Sequence, residues 1–119
     1  MAHFFQRDGV FFVTYVTGPR HVALGLAFGA SSEPFVLIKR KQRPAKPCDH
    51  GTLDGQQILE AVRTGLNKAT SSLRSELHLT KVVYFEGDSP EYGLYGYCAY
   101  LIAKRFLENQ PFESDTQSN

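Results

Sequence analysis

Residues 10–28 read VFFVTYVTGPRHVALGLAF, and this stretch decides the fold. Residues 10–16 are β-branched or aromatic throughout, the composition of a strand. Thr17-Gly18-Pro19-Arg20 supplies turn residues. Residues 21–28 then alternate: Val22, Leu24, Leu26 and Phe28 share one side, and His21, Ala23, Gly25 and Ala27 share the other. A period of two marks a half-buried strand, and the short turn makes the two runs a hairpin.

Outward from that hairpin, residues 1–9 read as a lead-in. A turn at 29–34 precedes a third strand at 35–39. Asp54 is a natural N-cap, with Gln57 three residues on as its capping-box partner. Ile58, Val62, Leu66, Ala69 and Leu73 then form one helical stripe, widened by Leu59. A fourth strand follows at 81–85. Ser89 and Pro90 cap and open a second helix running to about residue 107. Residues 108–119 read as a polar tail. The expectation is a single α+β domain over 1–119, with its core at about 10–107. Its order is β-β-β-α-β-α. The architecture is a two-layer sandwich of a four-stranded, mainly antiparallel sheet with both helices on one face.

Composition narrows the function. The chain has 119 residues, 13 Lys plus Arg against 12 Asp plus Glu, and a formal charge of +1. Bulk charge selects neither a nucleic acid nor a membrane. No apolar run approaches the roughly 20 residues that span a bilayer. Arg7, Asp8 and Gly9 interrupt the apolar start, so a signal peptide is not expected. Cys48 and Cys98 read as reduced thiols of a cytoplasmic protein.

No catalytic, cofactor or metal motif stands out. Cys48-Asp49-His50 has the residue types of an activated thiol, but sequence neighbours rarely face one another, and zinc would need two further ligands. Asp88, Glu91 and Glu86 gather at a helix start, where the helix dipole already favours carboxylates. Lys39, Arg40, Lys41, Arg43 and Lys46 place five cations within eight positions. They are candidate polyanion contacts, set against a solvated loop at a strand end. The sequence interleaves no aromatic residue with them for base stacking.

The second helix is apolar nearly all round before Lys104. Tyr95, Cys98, Ala99, Ile102 and Phe106 form one stripe. Tyr92, Gly96, Tyr100 and Ala103 form another, with Tyr97 beside it. A helix apolar on two sides is buried on two sides. Tyrosine is enriched at protein interfaces. Tyr92, Gly96, Tyr97 and Tyr100 are therefore the candidate partner-binding residues, with Gly96 and Ala103 leaving room between the rings.

Residues 58–69, ILEAVRTGLNKA, resemble the helix of domain IV of translation elongation factor G, a pattern of I-x-x-A-V-x-x-G-[IL]-x-x-A. A strand at 82–85, Asp88-Ser89 and a helix follow in that family's order, and Thr17-Gly18-Pro19-Arg20 occupies the place of its glycine-rich turn. The resemblance covers about residues 10–107. It implies a ribosomal-protein-like β3-α-β-α fold and allows a ribosome- or RNA-associated role. The order is also similar to ribonuclease H, with Glu86-Gly87-Asp88-Ser89 at a strand end. That family needs several converging carboxylates for its two metals. Two functions stay open. The first is a small non-catalytic cytoplasmic binding protein that dimerises or holds a partner, RNA or the ribosome included. The alternative is a metal-dependent hydrolase or nuclease built on Asp88.

Overall fold

The computed structural model describes residues 2–17, 20–30, 36–40, 53–85 and 91–114. Strands β1 (Ala2–Arg7), β2 (Val10–Thr17), β3 (Arg20–Gly29) and β4 (Val36–Arg40) precede helix α1 (Gly55–Leu73). Strand β5 (His78–Phe85), helix α2 (Tyr92–Leu107) and the two-residue strand β6 (Glu113–Ser114) follow. The α+β class and both helices stand as expected. The sheet does not: among the described residues it has six strands in the order β4-β5-β3-β2-β1-β6, and it is mixed.

Three differences account for this. Residues 1–9 are no lead-in, because β1 pairs antiparallel with β2, with Phe4 opposite Val13 and Phe5 opposite Phe12. The connection is Asp8-Gly9, both at positive φ (52° and 79°). Two left-handed residues are what a tight hairpin turn demands, and Asp-Gly supplies them. The third expected strand, β4, does not extend the β2–β3 hairpin. It lies beyond β5 and runs parallel to it, with Ile38 beside Val83. Parallel neighbours need a crossover, and α1 provides it. The expected polar tail is partly anchored: β6 pairs parallel with β1. The Arg105 guanidinium lies 4.3 Å from the centre of the Phe4 ring, and Arg105 Nε donates to the Pro111 carbonyl at 2.7 Å. Phe112 packs on Phe11, ring centres 4.8 Å apart.

Alternation divides the sheet into two faces. Val13, Val22, Leu24, Leu26, Val82 and Tyr84 meet Ile58, Val62, Leu66 and Ala69 of α1 and Tyr95, Cys98, Ala99, Ile102 and Ala103 of α2 in one core. Both helices thus cover the same face. The opposite face carries a smaller cluster of Val10, Phe12, Ala27 and Val83, with Phe5, Ile38 and Phe85 against it. Gly25 is required there, since a Cβ would overlap the Phe12 ring and lie 2.9 Å from Val10 Cγ1.

Asp54 caps α1 as its sequence implies, its Oδ1 accepting from the Gln56 N–H at 2.9 Å. The Gln57 side chain donates to Asp54 Oδ2 at 3.4 Å. The helix ends at Arg74 in the left-handed region (φ 51°), with the Ser75 N–H on the Thr70 carbonyl at 3.0 Å. The second helix starts later than its sequence suggests. Glu91, not Ser89, holds the N-cap position, without a side-chain capping bond. Ser89 and Pro90 lie outside the described residues.

Candidate functional site

Where α1 and α2 meet, their backbones come into near contact. A Cβ on Gly65 would overlap the Gly96 carbonyl, and a Cβ on Gly96 would lie 2.9 Å from the Ala61 carbonyl oxygen. Two glycines and an alanine therefore set the helix spacing. Side chains further out cannot close over so tight a crossing, and a trough of about 540 Å³ opens along it on the side away from the sheet. Ala61, Gly65, Gly93 and Gly96 lie along this trough, between Gln57, Glu60, Thr64 and Lys68 of α1 and Tyr92, Tyr97 and Tyr100 of α2.

All four sequence-derived partner-binding residues thus line one feature, each in a different way. The Tyr92 hydroxyl accepts the Asp54 backbone N–H at 3.0 Å. It fastens the start of α2 to the start of α1, and it occupies the donor that Gln57 would have taken in a full capping box. Gly96 serves the helix crossing as well as lining the trough. Ala103, assigned to the same flank, is wholly buried. Tyr97 is 46% exposed and meets Tyr15 edge-on at 5.6 Å. Tyr100 is half-buried, with the Lys68 ammonium 5.4 Å from its ring centre. The α1 wall and Gly93 are new to the site. Gln57, Glu60, Thr64 and Lys68 recur at helical spacing, but from sequence such residues read only as a solvated face.

The described cysteine does not line this trough. Cys98 lies in the core beneath it, wholly buried, and burial pushes its thiol up to about 12. A thiol held protonated is a packing group, not a nucleophile. Tyr95 beside it is raised too, chiefly by burial and then by Cys98, Tyr92 and Tyr84. Among the described residues, no three His, Cys, Asp or Glu side chains gather where they could hold a metal ion. Glu86, Asp88 and the Cys48-Asp49-His50 run lie outside the described residues, as do Lys41, Arg43 and Lys46 of the basic run. Lys39 and Arg40 end the edge strand β4, and Lys39 is exposed. No described helix is long and apolar enough to cross a membrane.

No family model matches the chain, and no curated protein resembles it significantly.

Proposed function

We propose that the chain is a small non-catalytic, cytoplasmic binding protein that uses the α1–α2 trough to hold a protein surface, first of all a second copy of itself. The observation that carries this reading is the convergence of Tyr92, Tyr97 and Tyr100 on one trough with glycines along it. Tyrosine provides large contact area with few rotatable bonds, and a hydroxyl that tolerates solvent in the unbound state. Gly93 favours the reading further. Among the described residues, no atom outside its own helical turn lies within 4 Å of where its Cβ would be, so the described packing does not demand a glycine, yet the helix carries the entropic cost of one.

The order β2-β3-β4-α1-β5-α2 also supports kinship with domain IV of elongation factor G, β1 and β6 being additions. Ile58, Val62, Leu66 and Ala69 of the resembling helix face the core, and Ala61 and Gly65 sit at the crossing. A ribosome-associated partner is the variant this kinship favours.

Sedimentation tests the reading. Wild type should self-associate, and Gly93→Leu, which places a bulky side chain at the trough, should shift it to monomer without lowering the thermal melt. Tyr97→Asp should act in the same direction. A wild type that stays monomeric at high concentration overturns self-association through this trough.

A further inference from the structure

The strands carry a charge pattern that bulk composition hides. None of β1 to β5 contains Asp or Glu, whereas they hold Arg7, Arg20, Lys39, Arg40 and Lys81. Register assigns several of these to the sheet face away from both helices. Arg7 is opposite Val10, and Lys81 is opposite Ala27. Both partners belong to the cluster on that face. Arg40 sits at the register position beside Phe85. His3 and His21 share this face, opposite Thr14 and Val16.

Between these basic positions runs a row of rings. Phe5 stacks on Phe12 with centres 5.0 Å apart and planes within 9°, and Phe85 lies 6.4 Å from Phe12. Phe12 is buried within the row, while Phe5 and Phe85 stay partly exposed at its ends. The rings come from β1, β2 and β5, so only the sheet brings them beside the cations. Asp8 lies in the β1–β2 turn, and Glu113 at the sheet edge lies 3.5 Å from His3.

We propose that this sheet face binds single-stranded nucleic acid, with phosphates on Arg7 and Lys81 and bases against Phe5 and Phe85. Charge complementarity selects a polyanion, and the ring row selects one with flat apolar faces. Single strands meet both conditions because their bases are free to stack on aromatic side chains. A duplex hides those faces. The site is separate from the trough, so it stands or falls independently of the self-association above.

The test is fluorescence anisotropy of a labelled 12-residue oligo(U) RNA, titrated at several salt concentrations against the full chain. Binding should weaken with salt. Arg7→Ala with Lys81→Ala should lower the log–log salt slope by roughly 1.4, at about 0.7 per lost phosphate contact. Phe5→Leu keeps apolar bulk but loses the ring face, and should cost roughly tenfold in affinity with the slope unchanged. Phe85→Leu provides the same readout if Phe5→Leu fails to fold. Gly93→Leu should bind like wild type. No binding at low salt overturns the proposal. So does binding that ignores Arg7 and Lys81 but vanishes with Lys41→Ala and Arg43→Ala, which would move the contact to the basic run. Equal affinity for polyglutamate, indifferent to the phenylalanines, would make the face an acidic-protein site instead.

Discussion

The two helices lie against each other over the same sheet face and are built on opposite plans. In α1 the buried residues Ile58, Val62, Gly65, Leu66 and Ala69 form one stripe, and Gln57, Glu60, Arg63, Thr64 and Lys68 fill the rest of its surface. In α2 polar side chains are almost absent before Lys104. The difference follows from position. Sheet strands β2 and β3 contact α2 directly, and α1 packs along its flank, so it is enclosed on two sides. Its third side lines the trough. A helix apolar all round is thus evidence of two neighbours, and α1 is one of them. Only the remainder, Tyr97 and the outer edges of Tyr92 and Tyr100, is available to a partner.

The sharpest way to break that contrast is at the crossing. Gly65→Ala places a methyl group on the Gly96 carbonyl, and neither backbone can yield without moving its helix. The cost should be about 3 kcal/mol, the upper range for overpacked sites. In a domain of this size that lowers the melting temperature by about 10 °C. A thermal melt matching wild type would mean that the helices are further apart than described, and the trough would lose its floor.

Much of this plan can be read from residue order, and the misses have physical causes. The β2–β3 hairpin and α1 are legible because each follows its own period without interruption. Strand β1 has an equally local signal, Asp8-Gly9 between two phenylalanine-rich runs, which an amino-terminal position disguises as a lead-in. The pairing of β4 with β5 is not local: nothing in residues 36–40 says that a strand forty positions later will slip between it and β3. Strand β6 is too short for any pattern and depends on Phe112 and on Arg105 reaching back over Phe4. The tyrosine wall of the trough is visible as a stripe. Its floor is not, because Gly65 and Gly96 matter only as a pair drawn from two elements.

Alkaline pH tests the buried side of α2 against α1, whose core residues include no titratable group. Below pH 9 the Cys98 thiol is protonated in folded and unfolded chains alike. Above it the unfolded thiol, at its ordinary 9.0, loses its proton, while the folded one, near 12, keeps it. Ionisation therefore favours the unfolded state, and stability falls by about 1.4 kcal/mol per pH unit for this group. Tyr95 adds to the slope above about pH 10, since burial raises it as well. Urea denaturation at pH 8, 9.5 and 10.5 should show the loss. Cys98→Ala should flatten the first part of the slope by one proton, and an unchanged slope would place Cys98 outside the core.

The smallest expected effect separates the glycines of the site by purpose. Gly65, Gly93 and Gly96 all line the trough, but only the first and last meet backbone from the other helix. At Gly93 an added Cβ meets nothing among the described residues, and the backbone lies within ordinary helix. Alanine there should therefore stabilise the fold, by about 0.5 kcal/mol given the propensity difference and the weaker demand of a first helical turn. The sign carries the argument, since the same substitution at Gly65 should destabilise several times as strongly. The urea midpoint of Gly93→Ala, at an unchanged slope with denaturant, measures it. A raised midpoint with weakened self-association would mean that the glycine keeps the trough open at the expense of stability. A lowered midpoint would show that something already packs over Gly93, and the trough would not be open at that end.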